Sequence, residues 1–521
     1  MLPGKIFTIL ILATAFASLG AWLVGWRYRA AMQRLMQAPV GAAPTAVPTT
    51  GTVVHEKPPA TAVSLADNRR AHWRLLLGFT ALTLLIALSR TIITQWIADG
   101  PITIKTVATL GAAYAWPVLP VLAVIGRWSR WRFVGTMLLW FITAVALLTW
   151  RTTEAVSFLQ VLQWMSFDIG LPLVVVTLLC LGGTSRAIAP WLAPLFVLLL
   201  WASQAGIDLL AAAVNADSAI ARGIVGQLGA IGALLAAFLL PWLVAWWPAR
   251  ALGRWLAGLY TRRRVSELFY LFTAVWVITL AGPALGAIAD LGWGALIVFA
   301  PLLWIPAGAA VMQFLAHPAP GRPPTLLVLR VFRQDANVQA LFDRVIERWR
   351  LSGNTVLIAG TDLADRTIDA EDIFTFIDGR LGERFIQHPG DLDASLAAFE
   401  WQTDVEGRHR VNECYCHDST WQQALDRLVA ASDVVLMDLR NFKDRNAGCK
   451  HELGVLASAP GLSRVVLLTN AGTDLPSAQS ATANTPPGRF IWIDVPEGRQ
   501  PKAETVLAGL FGAPPSEART P

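Results

Sequence analysis

Hydrophobic residues follow two regimes along the chain. Up to about residue 316 they form long runs, at 6–26, 73–97, 106–126, 133–150, 157–182, 187–214, 223–247, 266–289 and 293–316. Most of these approach or exceed the ~20 apolar residues that cross a bilayer as a helix, so about nine spans are expected. From 325 onward the runs shorten and alternate with amphipathic stretches. Thr325–Phe332, Thr355–Gly360, Val434–Leu439, Arg464–Leu468 and Phe490–Val495 read as strands. Val338–Arg350 places Leu341, Val345 and Trp349 on one helical face, and Thr420–Ala431 does the same with Trp421, Leu425 and Leu428. Helices are also expected within Ile373–Phe385 and over Cys449–Ala457. Such alternation predicts a parallel sheet covered on both faces.

These patterns divide the chain. Residues 1–37 hold the first span and its flank. Residues 38–71, rich in Ala, Pro, Thr and Val without periodicity, read as a disordered cytoplasmic loop. Residues 72–316 form the polytopic α-helical membrane domain, 317–324 a proline-stiffened linker, 325–511 a C-terminal α/β domain and 512–521 a loose tail. Within the α/β half, 472–488 reads as a Ser/Thr/Pro-rich loop.

Composition supports the division: 55% of residues are hydrophobic, too many for one soluble domain. The net charge of +6 does not imply nucleic acid, because arginines flank the apolar runs. Arg27, Arg29 and Arg34 follow the first run, Arg127, Arg130 and Arg132 the third, Arg186 the fifth, and Arg250, Arg254, Arg262, Arg263 and Arg264 the seventh. The positive-inside asymmetry then puts the N-terminus outside an inner membrane and the α/β domain in the cytoplasm, as nine crossings require. Ala15-Phe16-Ala17 raises a signal-peptide reading, but the basic charge follows the first run instead of preceding it. Asp168, Asp208 and Glu267 are read as near span ends and interfacial, so nothing singles out a transported ligand.

Candidate chemistry concentrates at 432–454. A strand there ends in Asp438, followed by Arg440 and Phe442, and the next helix carries Glu452 near its start. The carboxyl edge of a parallel sheet is where α/β folds take ligands. A carboxylate near the positive end of a helix dipole suits a cationic transition state; the alternative role is helix capping. Asp438 and Arg440 are candidate ligand contacts or a solvated loop pair. Phe442 is a base-stacking candidate or packs under the loop. Arg330, Arg333, Asp335 and Asn337 leave the first strand, where arginine and open backbone N–H groups suit phosphate or ribose. Thr361 and Asp362 follow the second strand at the same edge. Neither Gly-x-Gly-x-x-Gly nor a Walker pattern is present. Cys414-x-Cys416-His417 and Cys449-x-His451 lack usual zinc spacing, and no metal is expected.

The run Trp421…Leu428…Ser432-Asp433-Val434-Val435-Leu436…Phe442…Gly448-Cys449…Glu452-Leu453 resembles the second half of a TIR-like domain. Glu452-Leu453-Gly454 also resembles the corresponding stretch of nucleoside 2-deoxyribosyltransferases. The resemblance implies a flavodoxin-like sheet and N-glycosidic cleavage of NAD or a related nucleotide as substrate, with Glu452 catalytic and no cofactor. Open alternatives are a non-enzymatic assembly module regulated by the membrane half, with a homo-oligomeric partner, and a transporter with a regulatory α/β domain.

Overall fold

The computed structural model describes residues 2–36, 58–151, 157–180, 183–316, 321–330, 342–358, 370–386, 390–417, 420–483, 485–497 and 499–512. The apolar runs become helices α1 (Leu2–Met36), α2 (Leu65–Ile97), α3 (Ile104–Tyr114), α4 (Val118–Ile125), α5 (Arg130–Arg151), α6 (Phe158–Met165), α7 (Leu171–Cys180), α8 (Gly183–Asn215), α9 (Ala219–Thr261), α10 (Glu267–Leu291) and α11 (Trp304–Leu315). Among the described residues 8 helical spans are long and apolar enough to cross a membrane. The pair α3 and α4, bent by 47° at its break, makes up to 9 if it counts as one. A π-helical turn, Ser166–Gly170, joins α6 to α7, and a 3-10 segment, Gly292–Leu303, precedes α11.

One boundary differs from expectation. Residues 65–71 belong to α2, not to a disordered loop. Ser64 accepts from the Asp67 backbone N–H while Asp67 accepts from that of Ser64, a reciprocal capping box that starts the helix before the apolar run begins. Most of the remaining 38–71 segment lies outside the described residues, as does 317–320 of the linker.

The C-terminal half contains a six-stranded, fully parallel sheet: β1 (Thr325–Arg330), β2 (Asn354–Ile358), β3 (Val411–Cys414), β4 (Val434–Asp438), β5 (Arg464–Thr469) and β6 (Phe490–Asp494). Its order is β3-β2-β1-β4-β5-β6. The five strands expected from sequence run 2-1-3-4-5 among themselves. The unexpected β3 adds outside β2 and gives the doubly wound order 3-2-1-4-5-6. Helices α12 (Ala370–Ile377), α13 (Asp391–Ala397), α14 (Trp421–Ala431), α15 (Ala447–Ser458), α16 (Leu475–Ala481) and α17 (Ala503–Phe511) join a π-helical turn, Phe342–Ile346, that runs into the short helix Glu347–Trp349, and a 3-10 turn, Leu381–Arg384. Helix α16 occupies the stretch read as a loop; Asp474 caps it and Pro476 takes an early position that needs no N–H donor.

Strand side chains alternate between two cores. Leu327, Leu329, Val435, Met437, Val465 and Leu467 pack with Leu425 and Leu428 of α14 and Leu453 and Leu456 of α15. Leu326, Val328, Val434, Leu436, Val466 and Leu468 pack with Val345, Ile346, Trp349 and, from α17, Val506, Leu507 and Leu510. Asp433 pins the entrance to β1: its carboxylate accepts from Arg322 at 2.9 and 2.6 Å and from the Thr325 N–H at 2.8 Å.

Asp433→Ala strands that guanidinium and the first strand's N–H. The expected cost is about 3 kcal/mol, read as lost hydrogen-exchange protection in β1 and β4. Unchanged protection would show that the strand start is held by packing alone.

Candidate functional site

The sheet reverses direction of winding between β1 and β4, and β1 residue Arg330 lies in register with Asp438. This is the crevice where doubly wound sheets take ligands. Asp438 is already engaged. Arg440 grips it bidentately, Nε to Oδ1 at 2.8 Å and Nη2 to Oδ2 at 2.6 Å, and the Arg440 backbone N–H donates to Oδ1 at 3.2 Å. Both side chains are buried. The pair therefore spans one strand end and its loop as a neutral unit, not a solvated one. Asn441 takes a left-handed backbone (φ 62) and exchanges hydrogen bonds with Asn470, tying this loop to the end of β5.

Two expected residues sit in the core. Phe442 is fully buried in the first sheet-face cluster, so it packs under the loop and offers no face to a base. Glu452 lies beyond the first turn of α15, past the open N–H groups, and is 2% exposed. It serves neither as a cap nor as a rim carboxylate in this conformation. Its neighbour Cys449 feels it: burial first, then the Glu452 charge, pushes the Cys449 thiol up to about 12. Arg333, Asp335, Asn337, Thr361 and Asp362 lie outside the described residues; Arg330 is placed by its backbone at the end of β1.

The cysteine motifs fall on the edge strand and on α15. Cys414 and Cys416 bring their sulfurs to 3.5 Å and are buried in the core. His417 lies against the Phe385 ring, and His451 edge-on to Trp421. Among the described residues no group of three His, Cys, Asp or Glu side chains is placed to hold a metal ion.

The densest charge constellation lies elsewhere, where the α/β half meets the helix ends. Glu347, buried, accepts from Arg127 of the α4–α5 connection, from Arg350 at 3.0 Å and from Arg408 at 3.1 Å. Burial alone would raise this carboxyl, but Arg127, then Arg350 and Arg408, hold it well below the usual carboxylate range. Arg408 also reaches Glu406 at 3.2 Å and lies 3.8 Å from Glu267, the first residue of α10. Arg410 bonds Asp404 and Glu400 at 2.8 Å each. It donates to the Tyr260 carbonyl at 2.6 Å and stacks on the Tyr260 ring at 3.8 Å. Around this centre Arg250 pairs with Asp378 at 2.7 Å and Arg69 with Glu504 at 2.6 Å. The Asn68 amide donates at 2.7 Å to both the Arg348 carbonyl and Ser352. No sequence motif marks this junction; its signal was the run Glu406-Gly407-Arg408-His409-Arg410 in a segment too polar for a strand core.

A second constellation lies inside the helical half. Asp168 sits midway between the ends of α6 and α7, on the π-helical turn, not near a span end. Its carboxylate accepts from Arg90 at 2.7 Å; Arg90 is 1% exposed and lies 3.7 Å from the Tyr114 ring centroid. Two further Arg90 donors, Nε and Nη1, find no partner among the described residues. An arginine within the 73–97 apolar run was the legible signal. Asp208 pairs with Lys5 at the exposed surface. No family model, curated protein or solved structure matches the chain.

His409 gives the junction a pH response. It is buried and its Nδ1 lies 2.8 Å from the Asn354 side-chain oxygen. Burial first, then Arg350 and Arg263, pushes its pKa down to about 4 from an ordinary 6.5. The unfolded chain therefore takes up this proton first, so stability is complete above pH ~6.5 and is lost as pH falls toward 4, by about 1.4 kcal/mol per unit. Denaturant unfolding of the purified full-length protein should show at least this slope, and His409→Asn should reduce it by about 1.4 kcal/mol per unit. An equal slope in the variant would assign the loss to other groups.

Proposed function

We propose that this chain is a multi-pass membrane signalling protein whose helices and α/β half move as coupled parts. The apolar helices cross the bilayer, and the arginine-rich helix ends lie on the cytoplasmic side with the α/β half. The observation that carries this reading is the buried junction around Glu347. A domain merely tethered through 317–324 needs no buried charges to hold it. Here a carboxylate and three guanidinium groups from both halves leave water together, which is tolerable only in one mutual geometry. Such a junction transmits a shift of the helix ends to the sheet. The Arg90–Asp168 pair supplies a place for such a shift to arise, since ionisable residues within spans are expensive and mark functional positions.

A second reading rests on the register of Arg330 with Asp438 at the crevice between β1 and β4, where nucleotides bind in doubly wound sheets. In it, the TIR-like resemblance holds and Glu452 cleaves the N-glycosidic bond of NAD or a related nucleotide. Because Glu452 is 2% exposed, this activity requires a rearrangement that opens α15 toward the crevice, and the junction would control it.

Full-length protein in lipid nanodiscs tests the coupling. Glu347→Ala leaves its arginines without their counter-charge and should cost about 3–5 kcal/mol. Hydrogen exchange should rise at 404–410 and at the facing ends of α9 and α10 together. The gentler Asp168→Asn, made far from the junction, should also change exchange at 404–410; no change there would refute the coupling. Incubation with NAD addresses the second reading. Nicotinamide release that Glu452→Gln abolishes would support it, and absence of release from wild type with the junction both intact and disrupted would remove it.

A further inference from the structure

A groove of about 460 Å³ runs between α2 and α11, within the range of small-ligand sites, about 300–1,000 Å³. Its walls are apolar and finely stepped: Gly78, Ala81 and Leu85 on one side, Ala307, Gly308 and Val311 on the other. Its glycines let α2 and α11 approach each other closely along the groove floor. A Cβ on Gly308 would meet Leu82 at 2.8 Å, and one on Gly78 would meet Met312 at 3.0 Å. Along α2 its lining runs from Ala71 to Leu85, and the stretch inward from Arg74 covers about 16 Å at 1.5 Å per residue. That is close to half of a ~30 Å hydrocarbon core, the depth of one leaflet. Trp304 marks the deep end, its indole N–H donating to Ser89 at 2.9 Å.

The mouth is different in kind. Arg74 is exposed there and spends one N–H on the Leu315 carbonyl at 2.6 Å, out of the five a guanidinium carries. Arg70, one turn earlier, is also exposed. The mouth's remaining wall belongs to the α/β half: Leu351, Glu406 and Gly407. Gly407 has φ 82, and a Cβ there would stand 2.6 Å from that of Ala316, so only glycine allows this approach to the end of α11. The next residue is Arg408, which carries the junction's contact to Glu347.

We propose that this groove binds one acyl chain of an anionic phospholipid, with the headgroup phosphate against Arg74, and that the bound lipid braces the loop feeding Arg408 into the junction. The proposal rests on the reading that the helices span the membrane and adds to it the ligand and its point of action. An apolar channel of one-leaflet depth fits a single chain. Exposed arginines at the end nearest the α/β half match the anionic cytoplasmic surface.

The test uses full-length protein purified in mild detergent and titrated with phosphatidylglycerol, phosphatidylcholine or inorganic phosphate under native mass spectrometry. Wild type should retain one phosphatidylglycerol at least tenfold more tightly than phosphatidylcholine. Ala307→Trp, which fills the groove from a lipid-facing position, should abolish retention of both lipids. The surface variant Arg74→Gln should lose the preference for phosphatidylglycerol while keeping a chain. Phosphatidylglycerol should also lower hydrogen exchange at 404–408 in wild type and not in Ala307→Trp. Equal retention by wild type and Ala307→Trp would overturn the groove as the site. Displacement of lipid by millimolar inorganic phosphate would make it a phosphate site with no need of a chain, and would overturn the proposal equally. Should Ala307→Trp fail to fold, loss or persistence of headgroup preference in Arg74→Gln decides. The membrane reading is scored separately, by whether the chain stays in alkaline-washed membranes.

Discussion

Glu347 and the three arginines around it set the geometry that everything else obeys. Taking a carboxylate out of water costs several kcal/mol, and its return depends on close, correctly aimed guanidinium groups. Arg350 is a near neighbour in sequence, but Arg408 arrives from the edge-strand segment and Arg127 from the helical half. Removing Glu347 would leave all three guanidinium groups without this shared counter-charge. The two halves are therefore mutually specified at one point, and the satellite pairs of Arg410, Arg250 and Arg69 fix rotation about it.

Helix α2 gives that junction its reach. One continuous helix carries Asn68 and Arg69 against the α/β half, Arg74 at the mouth of the apolar groove and Arg90 in the pair with Asp168. At 1.5 Å per residue, Asn68 and Arg90 are about 33 Å apart along its axis. One rigid element therefore holds the contacts to the α/β half, the groove mouth and the Arg90–Asp168 pair at fixed spacing. Asp168 sits on the π-helical turn, whose hydrogen-bond pattern departs from that of the surrounding helix.

The crevice at β1 and β4 is shaped by self-sufficiency. Asp438 and Arg440 neutralise each other, Asn441 and Asn470 lock the neighbouring loop, and Phe442 fills space below. A nucleotide that used this crevice would have to compete with an ion pair already formed. Glu452 is withheld by burial instead.

What the sequence determined is what repeats locally. Runs of apolar residues specified the long helices, because burying or solvating an apolar surface is decided residue by residue. Alternation specified the parallel strands, and with them the position of Asp438 at a strand end. β3 escaped notice because Val411-Asn412-Glu413-Cys414 is a half-polar edge, where only one side is paired. The helix start at Leu65 escaped because a capping box extends a helix into polar sequence. Only the tertiary structure decided which charges matter. Arg127 meets Glu347 across 220 positions, and Arg90 meets Asp168 across 78. Periodicity carries no memory over such separations. An ion pair forms wherever packing brings two charges together and excludes water, so its partners are fixed by the completed fold and by nothing nearer in the chain.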